Sequence, residues 1–189
     1  MVNYEPKQYW EERGENYQVS IDTSDELFFL MEIIRDGFQK PWNTQFLEIG
    51  SGYGRIYQYL SQFWPIDFNN FTMCDFVESM RRECLKSTGI LPDYWNGKTL
   101  PYSNNQFDFV ISFSLLLHVT PDMINQVFSE HIRVSKKHIF IATYAGGLEK
   151  TAAHCFEHDY EGLIKVYGLR IIKAKIWQEK HRINFLLEK

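Results

Sequence analysis

Hydrophobic residues near the amino terminus recur at helical spacing. Leu27 and Leu30 belong to a series of apolar positions three or four residues apart, which predicts a helix over residues 24–38. Thr23 and Glu26 have the spacing of a capping box, so we expect them to begin this helix. An aromatic and charged segment precedes the helix.

Short apolar runs and amphipathic stretches alternate along the rest of the chain. The predicted strands cover residues 46–49, 71–74, 92–96, 107–113, 138–143, 169–177 and 182–187. The predicted helices cover residues 56–64, 77–86, 121–132 and 159–166, the third of them capped by Thr120 with Pro121 in its first position. Alternation with short crossovers predicts the α/β class, with a doubly wound, mostly parallel sheet between two layers of helices. The last two strands have no helix between them, so the chain ends in a hairpin.

Length and composition limit the organisation and the partners. The 189 residues contain no internal repeat and no low-complexity linker, so we predict a single domain over residues 1–189. A formal net charge of −4 disfavours a broad nucleic-acid surface. No run approaches the roughly 20 apolar residues of a membrane span, and the start of the chain lacks the apolar run of a signal peptide. The three cysteines show no CxxC spacing, which favours reduced thiols in a soluble cytoplasmic protein.

A glycine-rich turn follows the first strand of the alternating region. Gly50, Gly52 and Gly54 let the backbone turn sharply and approach a ligand where open α/β sheets bind ligands. The spacing is GxGxG, and Arg55 stands where the dinucleotide fingerprint GxGxxG needs its third glycine. The turn therefore disfavours a pyrophosphate and favours a cationic ligand that the carboxylate of Glu48 would stabilise. A glycine turn with a purely structural role is the alternative.

An acidic residue ends the second strand of this region. Asp75 lies roughly 20 residues beyond the glycines, where this type of fold places an acid that accepts hydrogen bonds from ribose hydroxyls. Phe76 follows and could lie against an adenine ring. A helix-capping aspartate next to a core phenylalanine is the alternative interpretation.

Several stretches carry a resemblance to a known family. FLEIGSGYGR resembles the first motif of class I S-adenosylmethionine-dependent methyltransferases, and CDFVESM resembles their second motif, in which an acid ends strand two. NGKTLPYSNNQFDFVIS and the LLLHV segment after it are similar to the next family stretches in order and spacing. The resemblance covers residues 44–144. It implies a sheet of seven strands with the last one antiparallel, S-adenosylmethionine as the cofactor, and methyl transfer as the activity.

The resemblance also implies a set of cofactor-binding residues. They are Glu48, Gly50, Ser51, Gly52, Gly54, Asp75, Phe76, Asn96, Gly97 and Ser112. Glu48 and the glycines would hold the methionyl part, Asp75 the ribose and Phe76 the adenine. Asn96 departs from the family, which has an aspartate there, but its side-chain oxygen can still accept a hydrogen bond from the adenine amine.

Histidines beyond the fourth and fifth strands are candidates for chemistry and for acceptor binding. His118 is the candidate general base if the acceptor must lose a proton, and a capping or packing histidine is the alternative. His154, His158 and Tyr160 fall where the family builds acceptor pockets, although a solvated helix start would explain them equally well. His154 and His158 lie four residues apart, but no third ligand is evident, so we predict no metal site.

The amino-terminal segment has its own resemblance. Tyr9, Trp10, Arg13 and Tyr17 are similar to residues in the lids of small-molecule methyltransferases. We therefore predict that residues 1–40 form a helical lid, in which Arg13 would contact the carboxylate of the cofactor. A plain amphipathic helix packed on the domain is the alternative.

Two other classes of function are weighed against methyl transfer. A nicotinamide dehydrogenase is disfavoured by Arg55 in the glycine turn. A domain that keeps the fold but acts as a binding or regulatory subunit is favoured by Asn96 and by the lack of a compelling base. No Asn-Pro-Pro-Tyr-type motif follows the fourth strand, and no large recognition domain follows the sheet. By elimination, we predict a small-molecule, sugar or lipid-linked acceptor.

Overall fold

The computed structural model describes residues 4–14, 17, 22–37, 43–63, 68–146 and 152–189. In chain order, its elements are α1 (Pro6–Gly14), α2 (Ser24–Gly37), β1 (Phe46–Ile49), α3 (Arg55–Phe63), β2 (Phe71–Asp75), α4 (Glu78–Thr88), β3 (Asp93–Tyr94), β4 (Phe107–Phe113), α5 (Ile124–Val134), β5 (Ser135–Tyr144), α6 (Tyr160–Val166), β6 (Arg170–Trp177) and β7 (Arg182–Glu188). The strands β1 and β4 begin and end where the apolar runs of the sequence predict, because both are buried along nearly their whole length.

The described strands form one seven-stranded sheet in the order β3-β2-β1-β4-β5-β7-β6. Neighbouring strands from β3 to β5 run parallel, and β7 runs antiparallel to both β5 and β6. The predicted fold class is therefore confirmed, including the antiparallel final strand and the closing hairpin.

Strand residues alternate between two apolar clusters, one on each face of the sheet. Leu47 and Ile49 belong to a cluster that also contains residues of α5 and α6, whereas Phe46 belongs to the cluster that contains residues of α2 and α3. Successive side chains of a strand point to opposite faces, so a strand between two helical layers must be apolar at every position. The uninterrupted apolar runs in the sequence follow from this arrangement.

Two predicted helix starts are wrong in detail. The helix expected from Pro121 begins only at Ile124, and the carbonyl of Thr120 accepts hydrogen bonds from the amides of Met123 and Ile124 across the intervening turn. Thr120 thus contributes through its backbone, with no side-chain cap at that helix start.

The capping box at the start of α2 is also wrong. The hydroxyl of Thr23 accepts from Arg55, and the carboxylate of Glu26 is paired with Arg182, 2.9 Å away. The physical reason is burial: Arg182 is a buried cation and requires a buried acid. Residues 1–3, 15–16, 18–21 and 38–40 of the predicted lid segment lie outside the described residues.

The strand order reverses between β1 and β4. From β1 the chain continues to β2 and β3 on one side and then returns to β4 on the other side. The carboxyl ends of strands at such a reversal leave a crevice, which is where open α/β sheets bind ligands. The glycine turn after β1, the acid that ends β2 and the loop after β4 therefore meet at one edge.

Candidate active site

The glycine turn between β1 and α3 uses backbone conformations that favour glycine. Gly50, Gly52 and Gly54 have φ angles of 74°, 55° and 81°. A Cβ atom on Gly54 would lie 2.7 Å from the sulfur of Cys84, so this glycine serves the packing of the turn against α4. A Cβ atom on Gly52 would meet nothing within 4 Å, so this glycine faces open space. The two glycines thus have different roles in the same turn.

Asp75 ties the glycine turn to the end of β2. One carboxylate oxygen accepts from the amide of Gly52 at 2.8 Å, and the other accepts from the amide of Val77 at 2.9 Å. Burial raises the pKa of Asp75 to about 6, against the lowering effect of these backbone hydrogen bonds. Asp75 therefore shapes the turn as well as presenting a carboxylate beside it.

Glu48 is a buried acid with an unused oxygen. Its side chain is 2% exposed, and its Oε2 atom has no hydrogen-bond partner among the described residues. Burial raises the pKa of Glu48 to about 8, which outweighs the lowering effect of Arg55. A buried acceptor without a donor is unfavourable, so this oxygen is a natural partner for a cationic or hydrogen-bonding ligand.

A cavity of about 350 Å³ runs along this edge of the sheet. Nine of the residues predicted to bind cofactor or to act in catalysis line it: Glu48, Gly50, Ser51, Gly52, Asp75, Phe76, Asn96, Gly97 and His118. Six other predicted site residues are not among its lining residues: Arg13, Gly54, Ser112, His154, His158 and Tyr160. Most of the predicted cofactor residues are thus brought together, and all three predicted acceptor residues lie outside the cavity lining.

Asn96 forms part of a tight turn at one end of the cavity. Its side-chain oxygen accepts from the amides of Lys98 and Thr99, at 2.9 and 2.7 Å. The oxygen that was expected to accept from adenine therefore already has two donors, and the amide nitrogen is the group left to face a ligand. Phe76 lies near this turn, since a Cβ atom on Gly97 would come within 3.7 Å of its ring.

The predicted residues outside the cavity lining support the structure around it. The hydroxyl of Tyr160 is 2.7 Å from the hydroxyl of Thr143, and Nε2 of His158 is 2.9 Å from the carbonyl oxygen of Val119. Ser112 is fully buried, and its hydroxyl has no partner among the described residues.

His118 lines the cavity beyond the end of β4. Its Nδ1 atom lies 2.8 Å from the carbonyl oxygen of His154, and its ring centroid lies 4.8 Å from the indole of Trp10. Burial lowers the pKa of His118 to about 4. The ring is therefore neutral at neutral pH.

Cys155 is a neighbour of His118 that sequence reasoning missed. One ligand-capable atom from each of His118, His154 and Cys155 lies within 4.8 Å of the others. His158, which lies four residues beyond His154 in the sequence, belongs to no such group among the described residues. No spacing in the sequence could reveal this cluster, because His118 comes from a different loop. The absence of a metal site stays a prediction.

Helix α1 covers part of the cavity. The cavity lining includes Pro6, Lys7 and Trp10 of the helix, together with Glu5 just before it and Tyr17 beyond it. The carboxylate of Glu11 accepts from the amides of Glu78 and Ser79, at 2.7 and 2.9 Å, which fixes α1 on the first turn of α4.

A second contact holds α1 near the histidines. The hydroxyl of Tyr9 lies 2.9 Å from Nδ1 of His154. Arg13, expected to face the cofactor, is exposed and stacks on the ring of Tyr9 with its guanidinium carbon 3.6 Å from the ring centre.

The cavity lining also includes residues that were not predicted as site residues, and three of them lie next to the glycine turn or β4. Arg55 and Tyr53 come from the end of the glycine turn, and Ser114 follows β4 with a φ of 59°. The hydroxyl of Ser114 accepts from Arg182 at 2.7 Å. In the motif pattern, Arg55 is noted only because it stands where the dinucleotide fingerprint needs a glycine. Its position directly after the glycine turn was the signal that could have identified it as a cavity residue.

The sheet order with its antiparallel β7, the glycine turn and the acid that ends β2 define a class I methyltransferase. A family model described as a methyltransferase domain matches residues 47–142, which is more than half of the chain. The chain therefore belongs to the methyltransferase domain family. It is an S-adenosylmethionine-dependent methyltransferase, and S-adenosylmethionine is its cofactor.

Solved structures with similar folds share little sequence with this chain. Magnesium protoporphyrin IX methyltransferase from Synechocystis PCC 6803, with bound S-adenosylmethionine, has a TM-score of 0.71 and 12% identity over 100% of this chain and 99% of that one. A methyltransferase from Aquifex aeolicus has a TM-score of 0.66 and 15% identity, over 98% and 99%. One from Clostridium acetobutylicum ATCC 824 has a TM-score of 0.65 and 13% identity, over 96% and 97%. These likenesses concern the fold.

Two further findings concern curated relatives and membrane-spanning helices. A search of curated proteins finds no match to the sequence. Within the described residues, no helix has both the length and the apolar character needed to cross a membrane.

The residues at the edge of the sheet fit an adenosyl sulfonium. The unpartnered oxygen of Glu48 and the carboxylate of Asp75 suit a cation and a diol, and the hydroxyl of buried Ser51 also has no partner among the described residues. The open space beside Gly52 leaves room for a ligand against the backbone.

Proposed function

We propose that this methyltransferase acts on a small-molecule acceptor, held under α1 at the end of the cavity opposite Asn96. The observation that carries the proposal is the continuity of one cavity. It extends from Asn96 past Glu48 and Asp75 to His118, and Trp10 of the covering helix lines it. A cavity of about 350 Å³ that is partly covered by a helix suits small ligands.

The cofactor residues are assigned by what each group can bind. The carboxylate of Glu48 would face the methionyl ammonium, beside the backbone of Gly50 and Gly52. Asp75 would accept from the ribose hydroxyls, and Phe76 would lie against the adenine. We include Ser51, Asn96 and Gly97 because all three line the cavity. Gly54 and Ser112 would act indirectly, through the packing of the turn and of β4.

The acceptor would lie between the end of β4 and α1. Bound S-adenosylmethionine supplies an electrophilic methyl group. The protein must then align a nucleophile and exclude water, which can account for much of the rate. Trp10 and Tyr17 would exclude water, and His118 would take a proton from acceptors that must lose one. His154 would orient His118, and His158 and Tyr160 would support the loop that carries it.

The class of acceptor follows from the enclosure. A macromolecular substrate would need a wide approach to the methyl position, but α1 is fixed over the cavity by Glu11 and by the contact of Tyr9 with His154. A sugar or a lipid-linked intermediate is also compatible with this enclosure, because only its reacting group would have to enter the cavity. The three cysteines are free thiols, which is compatible with our proposal of a cytoplasmic protein.

One observation favours a second candidate function, a cofactor-binding subunit without catalysis. The pKa of His118 is lowered to about 4, which makes it a weak base. Such a protein would bind S-adenosylmethionine with the same residues and would transfer no methyl group. The product S-adenosylhomocysteine distinguishes the two functions.

The test combines cofactor binding with the fate of a labelled methyl group. Calorimetric titration should show binding of S-adenosylmethionine and S-adenosylhomocysteine, and none of NAD. The protein is then incubated with methyl-labelled S-adenosylmethionine and a cell extract separated into small molecules, lipids, nucleic acids and proteins. Label in the small-molecule fraction supports the proposal. Label confined to protein or nucleic acid would overturn the acceptor class, and cofactor binding without any transfer would favour the inert subunit.

A further inference from the structure

Two arginines near the cavity, the buried Arg182 and the half-buried Arg55, differ in their partners. Arg182 has a side chain that is 3% exposed and pairs with the fully buried carboxylate of Glu26 at 2.9 Å. Arg55 lines the cavity and forms no salt bridge with any described residue; its guanidinium donates to the hydroxyl of Thr23. Its guanidinium carbon lies 5.0 Å from the ring centre of Phe113. The buried cation of Arg182 is paired with an acid, and the half-buried cation of Arg55 is paired with none of the described acids.

The charges around Arg55 do not neutralise it. Glu48 interacts electrostatically with Arg55, but burial raises its pKa to about 8, so it is largely protonated at neutral pH when no cofactor is bound. Glu26 is already paired, and Arg182 adds repulsion. Burial lowers the pKa of Arg55, yet an arginine stays protonated at neutral pH. In the protein without cofactor, the cavity wall therefore carries a positive charge that no described acid pairs with.

The position of Arg55 does not serve stability. Arg55 is the first residue of α3, where the positive end of the helix dipole disfavours a cation. Partial burial of a charge that has no ionic partner is unfavourable as well. A ligand that brings a negative charge would remove both disadvantages.

Arg55 lies between the proposed cofactor residues and the end of β4. Glu48 lies in β1, Asp75 ends β2 and Asn96 follows β3, and these three strands form one half of the sheet. Arg55 is electrostatically coupled to Glu48 of β1 and to Arg182 of β7. Its guanidinium contacts Phe113 at the end of β4, in the other half of the sheet. This is the half in which we place the acceptor.

Aromatic rings complete the surroundings of Arg55. The ring of Tyr17 lies 5.2 Å from Trp10 and 6.4 Å from Tyr53, and all three residues line the cavity. Such walls suit a flat, apolar ligand body.

We propose that Arg55 binds a carboxylate of the methyl acceptor, and that the acceptors are small aromatic carboxylic acids. The planar guanidinium matches a carboxylate with two parallel hydrogen bonds, and the aromatic side chains hold the ring. This inference rests on the proposed function, because it assigns the charge and shape of the small-molecule acceptor.

The experiment uses benzoate and benzamide as probes that differ in charge and little in shape. Each is titrated by calorimetry into the protein saturated with S-adenosylhomocysteine. We expect benzoate to bind roughly tenfold or more tightly than benzamide, as a charge-assisted bidentate contact would produce. The preference should disappear in Arg55→Met and weaken in Arg55→Lys, which keeps the charge and loses the planar fork. The control Lys98→Met removes another cation of the cavity wall and should keep the preference.

A second arm separates the two carboxylates that can enter the cavity. S-adenosylmethionine and its decarboxylated analogue are titrated into the wild type and into Arg55→Met. If the variant loses only the preference for the intact cofactor, Arg55 binds the cofactor carboxylate and the proposal is wrong. Equal affinity of the wild type for benzoate and benzamide, including no measurable binding of either, also overturns it without any variant. Failure of S-adenosylhomocysteine to bind would instead reject the proposed function.

Discussion

The Nδ1 atom of His118 lies 2.8 Å from the backbone carbonyl oxygen of His154. A carbonyl oxygen can only accept a hydrogen bond, so Nδ1 carries the proton in this contact and Nε2 keeps its lone pair. Burial lowers the pKa of His118 to about 4, which keeps the ring neutral at neutral pH. A neutral ring held by one nitrogen is the form that a general base requires, although a low pKa limits its strength.

We expect His118→Ala to lower turnover by roughly 10²–10⁴-fold for an acceptor that must lose a proton, with almost unchanged cofactor affinity. The wild-type rate should fall at acidic pH through a group that titrates near 4, since protonation removes the lone pair. Initial rates of S-adenosylhomocysteine formation provide the measurement. His138→Ala, on β5 and outside the cavity lining, is the matched control. Normal turnover per folded molecule of His118→Ala would show that His118 only packs or orients the loop.

A second prediction concerns Gly52. Gly52→Ala should lose cofactor binding and only about 1–2 kcal/mol of folding stability, the usual effect of a side chain in the left-handed region. Gly89→Ala is the matched control, because Gly89 also has a positive φ and open space where a Cβ atom would stand, but lies outside the cavity lining. Thermal unfolding and calorimetry of both variants separate strain from steric exclusion. Equal cofactor affinity in the two variants would make the turn purely structural.

The fold was largely predictable because its signals are local. The strand over residues 107–113 is an unbroken apolar run, and burial on both faces of the sheet demands that pattern. The cofactor residues after β1 and at the end of β2 were also predictable from local signals. Gly52 and Asp75 belong to sequence motifs that occur in a fixed order at the ends of these strands. Because β1 and β2 are parallel neighbours, the turn after β1 lies beside the end of β2, and the amide of Gly52 donates directly to Asp75.

The acceptor side was harder to predict because its contacts join distant parts of the chain. Glu11 binds the start of α4 and Tyr9 contacts His154, and neither pairing has a sequence spacing to reveal it. The capping-box prediction failed for the same reason, since Glu26 is taken by Arg182 from the far end of the chain. Charge pairing in the interior depends on which groups burial brings together.

A third prediction concerns the pH dependence of cofactor binding. The pKa of Glu48 is raised from 4.5 to about 8, so the folded protein without cofactor keeps a proton that the unfolded chain has lost in this window. The contribution of Glu48 to stability is therefore complete below pH 4.5 and declines as pH rises towards 8. A bound cation favours the ionised carboxylate, so affinity should rise with pH up to about 8, by at most about tenfold per pH unit.

Calorimetry in buffers with different enthalpies of ionisation measures the proton released on binding. Glu48→Gln should bind the cofactor more weakly, release no proton through this group and lose the corresponding part of the pH slope. A variant with the same slope as the wild type would assign the linkage to another group, such as Asp75.

The last prediction tests α1 as a lid. The carboxylate of Glu11 accepts from the amides of Ser79 and Glu78 in the first turn of α4. Burial opposes its ionisation, but these hydrogen bonds outweigh burial and lower the pKa of Glu11. Its contribution to docking is thus present above the ordinary carboxyl value and is lost as pH falls through the lowered pKa. Glu11→Ala should lose a helix-capping contact of about 0.5–2 kcal/mol, weaken the docking of α1 and accelerate dissociation of S-adenosylmethionine. The neighbouring Glu12→Ala is the control, because Glu12 is exposed and, among the described residues, accepts a side-chain hydrogen bond from Gln8 within α1 alone. Stopped-flow displacement of the cofactor measures the dissociation rate, and thermal unfolding measures the loss of stability. If both variants release the cofactor at the wild-type rate while Glu11→Ala alone loses stability, α1 is a packed helix of the domain and the lid interpretation is wrong.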